Sequence, residues 1–134
     1  CVRLSIGRVR VYNHKLGTGS NVAWTQLGDD INGQIREIDD PIMPYMGEPS
    51  LGYSVSLSAD PAASSLMNAN LRLSIGAPAL QDQIYQRMVG QVFVFEYDRT
   101  HVTHAWVQLG APIDGEGFFD QFGTSVSLIS DGRR

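Results

Sequence analysis

Large apolar residues alternate with serine over Tyr53-Ser54-Val55-Ser56-Leu57-Ser58. This is the period-2 signature of a β-strand whose two faces meet different surroundings, as when a strand lies between layers. Leu71-Arg72-Leu73-Ser74-Ile75 alternates in the same way and runs into Gly76-Ala77-Pro78, which stops a ladder because proline has no N–H to donate. Val92-Phe93-Val94-Phe95 is apolar at every position, the pattern of a central strand covered on both faces. Trp106-Val107-Gln108-Leu109 ends in a second Gly-Ala-Pro, at 110–112. No window of about 12 residues carries a helical i, i+3, i+4, i+7 stripe; Leu80 to Val89 comes nearest and is short and polar. The chain is expected to be all-β.

The pattern is written nearly twice. Trp24-Thr25-Gln26-Leu27-Gly28 through Ile31-Asn32-Gly33 recurs 82 residues later as Trp106-Val107-Gln108-Leu109-Gly110 through Ile113-Asp114-Gly115. Gly52-Tyr53-Ser54-Val55-Ser56-Leu57-Ser58 recurs 71 residues later as Gly123-Thr124-Ser125-Val126-Ser127-Leu128-Ile129. Val2-Arg3-Leu4-Ser5-Ile6-Gly7 matches Leu71-Arg72-Leu73-Ser74-Ile75-Gly76, and Arg8-Val9-Arg10-Val11-Tyr12 matches Gln91-Val92-Phe93-Val94-Phe95. Strand-like pieces duplicated at several tens of residues point to a repeat architecture. Placed end to end they make a four-stranded unit at about 52–59, 71–76, 91–97 and 106–110. Three strands precede it (2–7, 8–14, 24–28) and match its second to fourth; one follows (122–130) and matches its first. The resulting division is 1–33 for strands two to four of a partial unit, 34–51 for an inserted loop, 52–115 for the complete unit, and 116–134 for the first strand of the next. Short four-stranded units in series are the sequence form of a β-propeller blade, so about two antiparallel blades of a propeller are expected, stacked as twisted sheets. A β-solenoid is the rival, though its repeats are usually shorter.

Composition narrows the function classes. The 134 residues are 43% hydrophobic and 18% charged, as in a folded domain rather than a disordered tail. Net charge is −4, Lys15 is the only lysine and the arginines are scattered, so no basic stripe marks a nucleic-acid binder. No apolar run approaches the roughly 20 residues of a membrane-spanning helix. Cys1 is the sole cysteine, which excludes an internal disulfide and a thiolate metal cluster and leaves the redox compartment open. A start at Cys1, directly on a strand and without Met, suggests a segment of something longer.

Phe122-Gly123-Thr124-Ser125-Val126-Ser127-Leu128, together with Ile75-Gly76-Ala77-Pro78, resembles the FG-GAP repeat of integrin α-chain-type β-propellers. The chain looks most like the long, repetitive FG-GAP proteins of algal and microbial genomes, in which FG-x-SVSLS-x-DG, IGAP, G-x-V-x-V and W-x-QLG-x-x-I-x-G follow in order. Three departures stand out. Ile6-Gly7 runs straight into Arg8-Val9 without an Ala-Pro loop. Leu51 replaces the Phe of the FG pair, and residues 34–50 fill a gap that the next unit spans with 116–121. In integrin-type repeats the hairpin after the first strand often carries an Asp-x-Asp-x-Asp-Gly calcium loop. Here Asp60 is followed by Pro61 to Asn70 without another carboxylate, and one carboxylate does not replace the several oxygens that Ca²⁺ requires.

Candidate side chains divide the same way. Glu37, Asp39, Asp40 and Glu48 are the densest carboxylate group; a Ca²⁺ or basic-partner site is weighed against a solvated loop, and the solvated loop is preferred. His101 and His104, with His14 near the matching hairpin, lack a third ligand fixed by spacing and read as surface histidines. Trp24 and Trp106 offer flat faces for sugar stacking, but their recurrence beside Gln-Leu-Gly favours a packing role in every unit. Asp114, Glu116 and Asp120 resemble a glycosidase pair only superficially, since nothing in the sequence sets an opposed distance or a raised pKa. No nucleophile elbow, P-loop, dinucleotide fingerprint or His-Glu-x-x-His is present.

In a propeller blade the connections from strand four to the next strand one and from strand two to strand three open on one face. Here those are 34–50 and 77–90, the least repeated stretches. Met43, Tyr45, Met46, Ile84, Tyr85 and Met88 place adaptable apolar side chains there, as binding surfaces often do. The integrin-type resemblance implies the same face as the ligand face; the alternative is that insertions collect wherever they do no harm. The function expected is a non-catalytic binding or adhesion scaffold, extracellular or at the cell surface, with Met43, Tyr45, Met46, Tyr85 and Met88 as ligand-binding residues and no cofactor, metal or catalytic residue. Its partners are a protein or glycan ligand and neighbouring blades of a longer chain or further copies of itself. A lectin assembled from short two-blade chains and the non-catalytic part of a larger extracellular enzyme are the alternatives. Strand 122–130, without a following strand, is expected to sit loosely or to complete the 2–28 sheet of a second copy. Exchange of Ca²⁺ for a chelator should leave the melting temperature unchanged in a calorimetric scan; a rise of several degrees with Ca²⁺ would place ligands in 34–50.

Overall fold

The computed structural model describes residues 7–15, 23–33, 51–60, 70–80, 87–101 and 106–130. Among them there is no helix, and nine strands follow in order: β1 (Arg8–Val9), β2 (Tyr12–Lys15), β3 (Ala23–Gln26), β4 (Ile31–Asn32), β5 (Ser54–Ala59), β6 (Leu71–Ala77), β7 (Gln91–Tyr97), β8 (Trp106–Gln108) and β9 (Ile113–Asp114). The fold is all-β. β5, β6 and β7 pair antiparallel in sequence order, and the outer edge of β7 is shared by β8 and β9. β1 pairs antiparallel with β4, and β2 with β3. None of these sheets closes on itself.

The strands expected at 52–59, 71–76, 91–97 and 106–110 are found as β5 to β8. The expected strand at 8–14 is divided into β1 and β2, and that at 24–28 is β3. Only Gly7 of the expected strand 2–7 lies among the described residues. β4 and β9 were not foreseen, and both have the same cause. Each outer strand breaks after Gln-Leu-Gly and resumes at an isoleucine, so β9 returns to Gln91 and Val92 while β8 pairs Phe95 to Tyr97. β4 and β3 divide β1 and β2 in the same register, with Val9 opposite Ile31 and Tyr12 opposite Gln26, as Val92 stands opposite Ile113 and Phe95 opposite Gln108.

The core lies between these two halves. Val9, Val11, Ile31 and Leu51 from the first pack with Leu73, Ile75, Ala77 and Phe93 from the second, and Leu27, Leu80, Phe95 and Trp106 close round them. Alternation decides which side of the second sheet faces this seam. Leu73, Ile75 and Phe93 point into it, while Ser74 and Gly76 point to the opposite face. Ile75 is fully buried. The Ser74 hydroxyl is buried and, among the described residues, has no hydrogen-bond partner.

That opposite face receives residues 122–128. The strand expected over 122–130 does not form a ladder: it makes a single parallel bridge, Phe122 with Gly90. Serine hydroxyls replace the ladder. Ser54 Oγ donates to the Gly123 carbonyl at 2.7 Å, and the Leu128 N–H donates to Ser56 Oγ at 2.9 Å. The segment therefore follows β5 in the same direction, tied by side chains rather than by backbone pairing. Gly90 permits the crossing. It holds φ +80, and a Cβ there would collide with the Phe122 backbone; Gly7, at φ +27, stands in the same relation to Leu51.

Neighbouring positions on β6 should respond oppositely to truncation. Ile75→Ala should cost about 2–5 kcal/mol by opening a cavity in the seam. Ser74→Ala should be neutral or stabilising by up to about 1 kcal/mol, because it removes an unpaired buried hydroxyl. Urea denaturation of the two variants checks both signs.

Candidate functional site

Two concavities lie on the described surface. The larger, about 400 Å³, is bounded by Asp29 to Gly33 on one side and by Leu51, Leu80, Phe93, Phe95, Trp106 and Gln108 on the other. Its walls are largely the seam itself. Its polar groups are mostly engaged: the Trp106 indole N–H donates to the Leu27 carbonyl at 2.9 Å, and Gln108 Nε2 donates to the Gly110 carbonyl at 3.0 Å. Asp30 takes a fork from Arg10, at 2.8 and 2.9 Å, and a further bond from Gln26 Nε2 at 2.8 Å, with Arg8 at 3.2 Å. The Arg10 hydrogen bond, followed by that from Gln26, lowers the Asp30 carboxyl to about 2. The cleft is a structural crevice with an internally satisfied rim.

The smaller cavity, about 210 Å³, is built differently. Tyr53, Pro78, Ala79, Met88, Phe119, Gln121 and Thr124 line it. Three separate connections bring them together: the turn before β5, the one after β6 that leads to β7, and the one after β9. Hydrogen bonds fix this junction. Phe119 N–H donates to the Met88 carbonyl at 2.7 Å and Phe122 N–H to the Val89 carbonyl at 3.0 Å, so the 117–122 turn is stitched to the start of β7. Asp120 Oδ2 accepts from the Gly117 N–H at 2.6 Å and closes the turn from within. Thr124 donates through both its N–H, at 3.1 Å, and its hydroxyl, at 2.6 Å, to the Gln121 carbonyl.

This tight lacing forces two non-glycine residues into the left-handed region, Phe119 at φ 64° and Gln121 at φ 52°. Such a conformation is unfavourable for a bulky side chain, and it is held here by the surrounding bonds. Its effect is to turn the Phe119 ring outward. Phe119 is 58% exposed, Phe118 packs edge-on against it at 4.2 Å, and Tyr53 is 65% exposed on the adjoining wall. Two open aromatic faces thus stand beside an amide and a hydroxyl. That combination binds flat apolar surfaces that carry polar edges.

Of the ligand-binding residues read from the sequence, Met88 lies in the wall of this cavity, half-buried. Met43, Tyr45, Met46 and Tyr85, with Ile84, fall outside the described residues, as do Glu37, Asp39, Asp40, Glu48 and His104. Tyr53, Phe119 and Gln121 went unrecognised. The available signal was Phe118-Phe119 inside Gly-Phe-Phe-Asp, two large rings in the short connection 116–121. The carboxylates near them serve as local acceptors: Asp114 takes a 2.6 Å bond from Gln91 Nε2, and Asp120 closes its turn. Among the described residues no three His, Cys, Asp or Glu side chains converge as metal ligands.

The tryptophans divide. Trp106 packs on Tyr97 at 5.2 Å, whose burial pushes the phenol up, and reaches across the seam to Leu27. Trp24 packs on His14 at 5.1 Å but is 66% exposed.

Asp30 gives the pH signature of the first half. Its folded pKa lies below the unfolded carboxylate value of about 3.9, so its contribution is present above that value and is lost as pH falls towards 2. The effect should be small because the group is near the surface. Chemical denaturation from about pH 5 down to about pH 2 should show that loss, and Asp30→Asn should flatten this part of the profile. Compared with protein-family models, curated proteins and solved structures, the chain matches none.

Proposed function

We propose that this chain is part of an FG-GAP-type β-propeller that acts as a non-catalytic binding or adhesion scaffold at the cell surface or outside the cell. Its ligand face is formed by the loops 34–50 and 77–90 together with the 117–121 turn. The single observation that carries this reading is the convergence of three connections on one cavity, with Tyr53 and Phe119 exposed at its mouth and Met88 in its wall. Support for the blade reading comes from the identical outer-strand register of the two halves, including the break after Gln-Leu-Gly. Side-chain capping of that break is also shared: Gln26 Nε2 donates to the Gly28 carbonyl at 3.2 Å as Gln108 does to Gly110.

Size limits what the cavity holds. Sites for drug-sized molecules and cofactors usually enclose about 300–1,000 Å³. A cavity of about 210 Å³ takes a single side chain or one sugar ring. The second reading, a carbohydrate-binding lectin, draws on the same wall: aromatic faces for the apolar side of a sugar, with Gln121 and Thr124 for its hydroxyls.

An array of glycans and proteins probed with the intact protein identifies the ligand class. Tyr53→Ala should weaken binding at least tenfold, the loss of about 1.4 kcal/mol. Phe119→Gly should weaken it similarly yet leave stability within about 1 kcal/mol, because glycine relieves the left-handed strain while adding backbone entropy. Undiminished binding by both variants would place the ligand elsewhere.

A further inference from the structure

Among the described residues, no charged side chain lines the smaller cavity. The backbone beside it is engaged with itself. Between Gly117 and Thr124, the Phe119, Asp120, Phe122 and Thr124 N–H groups donate to the Met88, Gly117, Val89 and Gln121 carbonyls, and the Gly117 N–H to the Asp120 carboxylate. The Gln121 carbonyl takes the Thr124 hydroxyl proton as well. An extended peptide finds no continuous row of groups to pair with along this turn, and any N–H it buried there would lose water without a matched partner. The site offers ring surface instead, from Tyr53 and Phe119, with Pro78 and Met88 in the wall. Beside the rings stand two side chains able to donate, the Tyr53 phenol and the Gln121 amide.

Proline meets these terms. It has no N–H to leave unpaired, its ring is apolar, and proline-rich segments dock on aromatic walls through exposed rings and main-chain carbonyls. A sugar ring fits the space less well in its partners. Its several hydroxyls are each donor and acceptor, and they outnumber Gln121, Thr124 and the Tyr53 phenol. The surface beyond the cavity agrees. Tyr53 is followed in the alternation of β5 by Val55 and Leu57, which are 53% and 50% exposed. Apolar surface therefore continues for about 13 Å, at about 3.3 Å per residue. That length matches about four residues of a polyproline II helix, which rises about 3.1 Å per residue. Both surfaces are set before they meet: Phe119 and Gln121 are held at φ 64° and 52°, and polyproline II is a preformed conformation.

We infer that this cavity anchors a proline-rich peptide segment in the polyproline II conformation. One proline ring lies against Tyr53 and Phe119, and carbonyls of the segment accept from the Tyr53 phenol and the Gln121 amide. The inference rests on the ligand-face reading given above and names the ligand class of that face.

Fluorescence anisotropy with the intact protein tests it. The probes are labelled decaproline, a labelled Gly-Ser peptide of the same length and labelled chitohexaose, each titrated with protein to about 1 mM. Decaproline should bind at least tenfold more tightly than the Gly-Ser peptide. Tyr53→Ala should weaken decaproline binding at least tenfold. Tyr53→Phe keeps the ring, removes only the hydroxyl, and should weaken it roughly threefold to tenfold. Circular dichroism confirms that each variant is folded. Equal binding of the two peptides, or decaproline binding that survives Tyr53→Ala, would overturn the inference. A Tyr53-dependent preference for the oligosaccharide would overturn it too, while leaving the ligand face in place. Absence of Tyr53-dependent and Phe119-dependent binding to any member of the glycan and protein array would overturn both.

Discussion

Everything described here depends on one burial event, the packing of Val9, Val11, Ile31 and Leu51 against Leu73, Ile75 and Phe93. Two-stranded pairs such as β1–β4 and β2–β3 are at best marginal alone in water. They persist because the side chains between them lose water against a wider sheet, with about 1.5–3 kcal/mol from each fully buried aliphatic residue. The wider sheet gains in turn, since its seam-facing side is too apolar to stand in solvent. The two-stranded pairs thus lean on the wider sheet, and the Trp106–Leu27 bond ties the two together directly. Surface ion pairs, including Arg72 with Glu96 at 3.0 Å, decorate this arrangement without determining it.

The strands were legible where alternation ran for five or more residues, as in β5 and β6, and where a short unbroken apolar run marked a strand covered on both faces, as in β7. Their patterns depend only on which face each residue presents, and that is a local property. Residues 122–130 misled because Val126 and Leu128 repeat the alternation of β5, whereas a ladder also needs the segment to lie in the plane of a sheet, and 122–128 lies across the face of one. The hydroxyls of Ser54 and Ser56 hold it there, and a serine's choice of partner is not written in period 2. β4 and β9 were illegible for the converse reason. Two-residue strands carry no periodicity, and only the recurrence of isoleucine after Gln-Leu-Gly hinted at them.

Part of the candidate site was legible. Connectivity led to the 77–90 connection, and Met88 of that stretch lies against the 117–122 turn in the wall of the smaller cavity. The aromatic mouth could not be read in that way. Phe119 points outward through its own left-handed backbone, and that conformation follows from bonds to Met88 and Val89, some thirty positions away. Asp120 shows the same limit from the other side. In sequence it is one of three nearby acids, and in space it is the internal acceptor that shapes the turn.

The break in each outer strand has a consequence for selectivity. An unbroken edge offers a row of N–H and C=O groups that any extended peptide can extend, and natural sheets shorten or interrupt such edges to prevent it. With β8 limited to three residues and β9 to two, this edge is a poor template for indiscriminate strand addition. The same interruption spends a carbonyl differently: at Leu27 it accepts the Trp106 indole N–H, so an edge that could have invited a stranger instead fastens one half of the protein to the other.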